Sequence, residues 1–459
     1  MSENWHKMSA MKLGSEIEQG VIDPRELTEF FLERINELDP LNLVYLRTTI
    51  DRARNSANTA YSRSKSGLRR SILDGVPISW KDLFETAGDI TSHGSPILLD
   101  RVARKDAVVV ERAEHAGLVC LGKTNQTEYA FSILGINPHF GTPSNPFDKI
   151  TKRLPGGSTS GGAVSLSTGL AAAAIGSDTG GSVRVPSAWN GLVGFKTSFG
   201  RLPLDGVLPL SKTLDTVGPL TRNVEDAAAI FSILDGRSAS NPRSWVDISG
   251  LSPKFIKLVC PKTFVWDDLS PDIESVTRAA VDKISNAGVS IDNKEVKELL
   301  EIDSLINHYG PYHASECHAI WGEKIEIDPK LVYQPILERI RLGGQMNASI
   351  IEKTKLKLKV SARALHAWIR ENGILICPTV PISPPAIGDL EYNTELWTKA
   401  NGIVLRNTRL GNFLNCCAIT LPCGKDYNGI PVGLMFLAPW GEDELLLRTA
   451  AAIERILKT

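Results

Sequence analysis

The chain has 459 residues, 42% of them hydrophobic and 22% charged, which is ordinary for a globular protein and speaks against global disorder, a collagen repeat or a small disulfide scaffold. Its 51 lysines and arginines are matched by 52 aspartates and glutamates, and the net charge of −1 gives no support for electrostatic binding of nucleic acid. No apolar stretch reaches the roughly 20 residues of a membrane-spanning helix, and the first residues do not have the pattern of a signal peptide.

The first clear element in chain order is a helix that begins after Asp23. Asp23 can cap it, Pro24 suits the first helical position, and apolar residues at helical spacing follow until Asp39 and Pro40 end it. From about residue 74 onward, predicted strands and helices alternate. They are a strand around 76–81, a helix over 106–116, strands over 118–121 and 171–175 separated by a short helix over 161–168, and later strands over 255–260 and 374–377.

This alternation predicts an α/β fold with a mixed or parallel sheet. Residues 236–252 are rich in Ser, Gly and Asn and are typical of a connector. The stretch over 265–370 is charged and mostly helical, and residues 442–457 form a terminal amphipathic helix.

Three patterns that suggest other functions fit a structural role better. Residues 117–124 match the phosphate-binding string GxxxxGK[ST], but the four variable residues, LVCL, form a strand rather than a phosphate-binding turn. His308, His313 and His318 are spaced by five, so neighbours point about 140° apart on a helix and make a poor metal pair. The seven cysteines contain no CxxC pair, which indicates reduced core residues and a cytoplasmic protein.

A glycine- and serine-rich region departs from the composition of the rest. Residues 154–162 read LPGGSTSGG and residues 176–184 read GSDTGGSVR. A Gly-Gly-Ser turn leaves several backbone N–H groups free to point at one spot, which suits an oxyanion. Either turn alone would be an ordinary loop, and Lys81 alone would be a surface residue. Together, with Lys81 on a strand that is buried on one face, they favour a catalytic site.

With these motifs the chain resembles the amidase signature family. The run from Gly156 to Pro186 carries the family's long glycine–serine pattern, and the similarity covers nearly the whole chain, being weakest from about 235 to 370. The further matching segments are residues 75–82, 122–125, 194–201, 214–219, 377–381 and 430–434.

The resemblance implies a fold and a division of the chain. It implies one large α/β domain over residues 1–459, with a central mixed, mostly parallel β-sheet covered by helices on both faces. The catalytic core would lie at about 70–235, and a more variable helical region that shapes the substrate pocket at about 265–370.

The resemblance also implies a Ser–cis-Ser–Lys triad. Ser182 would be the nucleophile, Ser158, preceded by a cis peptide bond, the bridging serine, and Lys81 the base. The chemistry is consistent, because a serine hydroxyl needs a base to take its proton and burial lowers the pKa of a lysine. One departure is Thr159, next to the triad, where many members have serine.

Residues around the triad are expected to support it. The oxyanion hole falls on the backbone N–H groups of Thr179, Gly180, Gly181 and Ser182. We expect Asp178 and Arg184 to hold the glycine loop through hydrogen bonds, and Ser160 to cap the following helix and to come near the site. Tyr129 is a candidate for the wall of the substrate pocket, with a core position equally open. No metal or cofactor is required.

The leading hypothesis is an amidase that hydrolyses a small carboxylic amide to the acid and ammonia or an amine. The alternative is the glutaminase subunit of a tRNA-dependent amidotransferase, although the middle segment typical of that protein is not found here. A second alternative is a catalytically inactive binding protein on the same fold. We expect a small-molecule amide as the partner and a homodimer, with no membrane, and with nucleic acid involved only in the amidotransferase case. Which of Trp321, Tyr333, Trp397, Arg406 and Arg409 line the pocket stays open.

Overall fold

The computed structural model describes residues 2–310 and 312–459, without the side chains at positions 2, 3, 303 and 307–309. Eleven strands are found there. They are β1 (Tyr45–Thr48), β2 (Pro77–Lys81), β3 (Val119–Thr124), β4 (Ala173–Asp178), β5 (Val193–Lys196), β6 (Thr216–Thr221), β7 (Lys257–Pro261), β8 (Ser290–Lys294), β9 (Ile374–Pro378), β10 (Cys417–Lys425) and β11 (Pro431–Ala438).

Helices surround these strands along the whole sequence. They are α1 (Ala10–Glu18), α2 (Pro24–Leu38), α3 (Ile50–Lys65), α4 (Val108–His115), α5 (Ser160–Ser167), α6 (Arg184–Trp189), α7 (Val224–Leu234), α8 (Pro271–Asn286), α9 (Lys297–Tyr309), α10 (His313–Ile325), α11 (Gln334–Gly344), α12 (Ala348–Asn372), α13 (Thr394–Phe413) and α14 (Asp443–Lys458).

All the strands belong to one sheet, in the order β1-β3-β2-β4-β6-β5-β10-β11-β9-β7-β8. The mixed sheet is as expected, but the expectation that parallel pairs predominate is wrong for the described residues. Parallel pairing joins β2 to β3 and β4, and β7 to β8 and β9. The other six pairs are antiparallel. The reason is that β10 and β11 form a hairpin, and β6 runs against both of its neighbours.

The local predictions agree with the structure at the elements that carry the site. Asp23 caps α2 by accepting a hydrogen bond from the Arg25 N–H group, 2.8 Å away, and α2 ends at Leu38. The strand expected around residue 78 is β2, although both of its faces are buried, not one. The segment that mimics a phosphate-binding loop lies in β3, and this agrees with its interpretation as a strand.

One continuous hydrophobic core extends from Trp5 near the start to Ile453 in α14. The helices of the middle region, α8 to α12, contribute to this same core, so they are part of one α/β domain. No helix in the described part of the chain combines the length and the apolar character that crossing a membrane requires. The seven cysteines are all free, and six of them are buried.

Candidate active site

Lys81 ends β2 and is completely buried. Its Nζ atom lies 2.7 Å from Ser158 Oγ and 2.8 Å from Ser177 Oγ. Burial lowers the pKa of Lys81 to about 7, although the carboxylates of Asp215 and Asp178 act in the opposite direction. A lysine with such a pKa is partly neutral at physiological pH and can accept a proton.

Ser158 and Ser182 lie on two chain segments that meet beside Lys81. The peptide bond between Gly157 and Ser158 is cis. The Thr159 N–H group donates a hydrogen bond to the Ser182 carbonyl oxygen at 3.3 Å. All three expected triad residues are therefore brought to one place, and Ser182 keeps 4% of its surface exposed.

The loop before Ser182 needs glycine at position 181. Gly181 has a φ of +136°, and a Cβ atom there would lie only 2.2 Å from Thr408 Oγ1 of α13. The Thr408 hydroxyl in turn donates to the Gly180 carbonyl oxygen at 2.7 Å. Helix α13 thus presses against this loop so closely that no side chain fits between them.

The expected oxyanion hole is available only in part. The Gly181 N–H group donates to Asp178 Oδ1 at 2.8 Å, so this donor is already used. The N–H groups of Thr179, Gly180 and Ser182 have no acceptor among the described residues. The Thr179 hydroxyl donates to Asp215 Oδ1 at 2.5 Å and fixes the start of the loop. The donors left for an oxyanion are on either side of Gly181.

Asp178 and Arg184 hold the loop in the way expected of them. The Arg184 guanidinium donates to both carboxylate oxygens of Asp178, with Nη2–Oδ1 at 2.8 Å and Nε–Oδ2 at 3.0 Å, and both side chains are fully buried. Arg184 also donates to Asn412 Oδ1 and to the Thr408 carbonyl oxygen. Burial raises the pKa of Asp178, but Arg184 outweighs it and lowers this pKa to about 2. The carboxylate is therefore a constant charge under the nucleophile loop.

Ser160 does not cap the following helix. Helix α5 begins at Ser160 itself, and its N-cap is Thr159, whose side chain makes no capping hydrogen bond. The Ser160 hydroxyl donates to the Asn125 carbonyl oxygen at 3.3 Å, and the Gly161 N–H group donates to the same oxygen at 2.9 Å. A neighbouring loop thus supplies the acceptor that a capping side chain would otherwise provide.

A narrow cleft leads to Ser182. Its walls are the segment Ala130–Ile133, Thr179, Gly180, Leu210, His313, Arg339 and Leu405. Tyr129 is not among them. Its ring packs instead against His93 and Trp321, at 5.6 and 5.4 Å between ring centroids, and its hydroxyl lies 3.2 Å from Ser95 Oγ. Of the two positions that the sequence left open for Tyr129, the pocket wall and the core, the structure shows the core.

Arg339 of α11 is the cation of this cleft. Its guanidinium lies 4.3 Å from the centre of the Phe131 ring and donates to the Phe131 carbonyl oxygen at 3.0 Å. Burial lowers the pKa of Arg339 to about 10, so the side chain remains charged at neutral pH. Arg339 forms no ion pair with any described residue, and its charge is available to a ligand.

Three residues of the site were missed by sequence reasoning. Ser177 contacts Lys81, Asp215 binds the Thr179 hydroxyl, and Arg339 lines the same cleft as Ser182. Burial raises the pKa of Asp215 to about 6. A signal existed for Ser177, because it lies within the glycine–serine run 176–184 that stands out in the sequence. Asp215 lies in the matching segment 214–219, but no role was inferred for it, and nothing in the local sequence distinguished Arg339.

The sequence alone left open which of five aromatic and arginine residues line the substrate pocket, and none of the five lines the cleft. Trp321 donates its Nε1–H to the Pro209 carbonyl oxygen at 2.8 Å. Trp397 lies under Arg339 at 5.6 Å and next to Tyr333. Arg406 donates to the Asp267 carbonyl oxygen. The side chain of His308 is outside the described residues. No group of three or more potential metal ligands occurs in the part of the chain that the structure describes.

The chain is similar to known proteins both in its sequence and in its overall structure. A family model described as Amidase matches residues 26–447. The chain is 34% identical to the 2-amino-5-chloromuconic acid deaminase of Comamonas testosteroni over 88% of its length and 87% of that protein. It is 36% identical to a glutamyl-tRNA(Gln) amidotransferase subunit from Anaeromyxobacter sp. (strain K), over 98% and 96%. A crystal structure of an amidase superposes with a TM-score of 0.86 at 26% identity, over 98% of this chain and 99% of the other.

Proposed function

Since this chain belongs to the amidase family, we propose that it hydrolyses the carbon–nitrogen bond of a small carboxylic amide with Ser182 as the nucleophile. The observation that carries the proposal is the 2.7 Å contact between Lys81 Nζ and Ser158 Oγ at a completely buried lysine whose pKa is lowered to about 7. A buried lysine joined to a serine hydroxyl can supply the base that acyl transfer by a serine nucleophile needs.

The proposed reaction has two halves. Ser182 Oγ attacks the amide carbonyl carbon, and its proton passes through Ser158 to Lys81. The carbon–nitrogen bond then breaks as the proton returns along the same path to the leaving nitrogen, which departs as ammonia or an amine. Water attacks the acyl-enzyme, Lys81 again takes the proton through Ser158, and Ser182 is regenerated with release of the acid. The N–H groups of Gly180 and Ser182 are the candidate donors to the oxyanion of both halves.

The substrate class follows from the cation of the cleft. Arg339 brings a positive charge without a described counter-ion to the cleft that contains Ser182. A carboxylate on the substrate would neutralise this charge through charge-assisted hydrogen bonds. The 34%-identical relative is named as acting on an acid. We therefore propose an amide that also carries a carboxylate, hydrolysed without metal or cofactor in the cytoplasm.

The experiment is ammonia release from a panel of primary amides by the purified chain. Amides with a carboxylate should be turned over, and their uncharged counterparts much more slowly. Lys81→Ala, Ser158→Ala and Ser182→Ala should each lower the rate by about a hundredfold or more, as for the loss of a nucleophile or a general base. Ser187→Ala is the matched control, because Ser187 Oγ is buried near the site and has no hydrogen-bond partner.

A glutaminase subunit is the second candidate function, favoured by the 36% identity to a subunit of an amidotransferase. In that case the purified chain alone would release no ammonia, and glutamine turnover would appear only with partner subunits. The expected homodimer stays a prediction, which sedimentation of the same preparation tests. A catalytically inactive protein would leave Ser182 unlabelled by an active-site phosphonate, whereas the proposed amidase is labelled.

A further inference from the structure

A second cavity lies beside the catalytic cleft and is not used by the proposed reaction. Its volume is about 690 Å³, which is within the usual range for small-molecule sites. Helix α12 forms one side, and the residues that follow β5 and β11 form another, including Phe199 and Trp440. Apolar side chains dominate the lining, among them Leu358 and Phe413. The cavity can therefore hold the ring system of an aromatic ligand.

Three cationic side chains line this cavity. Lys355, Lys359 and Arg363 follow each other at intervals of four on α12 and share one face of the helix. Lys355 is neutralised by Glu316 at 2.9 Å. Lys359 and Arg363 are exposed and form no ion pair with described residues, and no carboxylate lines the cavity. The rim thus carries uncompensated positive charge above an apolar floor.

The cavity and the catalytic cleft are separated by a single wall of aromatic side chains. Phe413, on the cavity side, lies 5.8 Å from His313, which lines the cleft. Asn412 also lines the cavity, and its side chain binds both Asp178 and Arg184 under the nucleophile loop. The two spaces have no lining residue in common, but Asn412 connects the wall of the second cavity to the loop before Ser182.

We propose that this cavity is an accessory site for a small aryl carboxylate, with its ring against Leu358 and Phe413 and its carboxylate at Lys359 and Arg363. The argument is one of complementarity. Burial of the ring against the apolar side chains of the floor is favoured by the hydrophobic effect. The carboxylate of the ligand would pair with the cationic side chains of the rim that have no other partner of opposite charge among the described residues. A cationic ligand would be repelled, and an uncharged one would leave the rim unpaired.

The test is isothermal titration calorimetry of the full chain with 2-naphthoate as the probe. We expect saturable binding of one molecule per chain. The double variant Lys359→Gln/Arg363→Gln should weaken it about tenfold or more, because the carboxylate loses both of its charged partners at the rim. Lys353→Gln/Lys357→Gln is the matched control, since it removes the same charge from α12 outside the cavity and should leave the affinity unchanged. The uncharged 2-naphthalenemethanol should bind about tenfold more weakly than the naphthoate.

Three results would overturn the proposal. One is the absence of saturable heat with wild-type protein, and another is binding that the rim variant leaves unchanged. The third is binding that Arg339→Gln abolishes, which would assign the probe to the catalytic cleft. Sedimentation of the same samples tests whether a second copy of the chain occupies the cavity instead. A wild-type dimer that dissociates in the rim variant, without naphthoate binding, would mean that a second copy of the chain covers the cavity.

Discussion

Lys81 Nζ lies 2.8 Å from Ser177 Oγ, so the buried lysine contacts a second hydroxyl besides that of Ser158. Ser177 belongs to β4, the strand that pairs with that of Lys81, and its hydroxyl accepts a second hydrogen bond from the Lys81 amine. Two contacts at one amine restrict the direction in which Lys81 can exchange a proton. Ser177 is thus a positioning residue in the proposed mechanism.

Removal of the Ser177 hydroxyl should therefore slow catalysis without stopping it. For Ser177→Ala we expect kcat to fall about tenfold, the equivalent of one hydrogen bond in the transition state, with little change in KM. Ser177→Thr, which keeps a hydroxyl, should restore most of the rate. A Ser177→Ala enzyme as slow as Ser158→Ala would contradict the positioning role, and steady-state kinetics distinguishes the two.

The pH dependence of the reaction follows from the pKa of Lys81. This pKa is lowered to about 7, and the base must be neutral, so kcat/KM should rise with pH through about 7 and then level off. The negative charge of Asp215 raises the pKa of Lys81, so Asp215→Asn should move the rise to lower pH. A pH–rate profile of both proteins is the measurement. A shift to higher pH in the variant would contradict the electrostatic argument.

The buried pair of Asp178 and Arg184 should be important for stability. Arg184→Gln would leave the Asp178 carboxylate buried without its partner, and such losses cost about 3–5 kcal/mol of unfolding free energy. Arg54→Gln is the control, because the pair of Arg54 with Glu29 is exposed to solvent and should contribute much less to the free energy of unfolding. Urea unfolding measures both. Equal effects of the two substitutions would contradict the importance of burial.

Arg339 should act on substrate binding more than on chemistry. If it binds the carboxylate of the substrate, Arg339→Gln should raise KM for carboxylate-bearing amides about tenfold or more and leave uncharged amides nearly unaffected. Arg341→Gln on the same helix is the control, because Arg341 is exposed and pairs with Glu326. A uniform loss of kcat for all amides would instead indicate that Arg339 supports the fold of the cleft.

The sequence was sufficient to predict those parts of the candidate site that are encoded by a short local motif. The residues that meet beside Lys81 come from short glycine–serine runs, whose spacing already indicates a strand, a turn and a helix. Arg339 and Arg341 show the limit. Residues that are two positions apart in a helix point about 200° away from each other, so only one of these two arginines can face the cleft. The sequence of α11 does not say which one does. That choice is made by Phe131, which lies some two hundred positions earlier.

The proportion of antiparallel strands could have been predicted better. Asn428 and Gly429 separate β10 from β11, and Asn-Gly between two apolar runs is a strong hairpin signal. The Asp426 N–H group donates to the Ile430 carbonyl oxygen at 2.9 Å and closes this turn. The reversal at β6 had no such signal. Its direction depends on how β4 and β5 pack against it, which is a property of the whole sheet.

The contacts of Asn412 and Thr408 with the loop before Ser182 also have a consequence for the order of synthesis. Ser182 and Lys81 leave the ribosome long before α13 is made. A nascent chain that has not reached residue 412 has the proposed nucleophile and the proposed base, but it lacks the helix that holds the loop between Asp178 and Arg184 in place. The hydrolytic activity should therefore arise late in translation, when the last strands join the sheet, and amides in the cell would not meet a reactive serine on an incomplete chain.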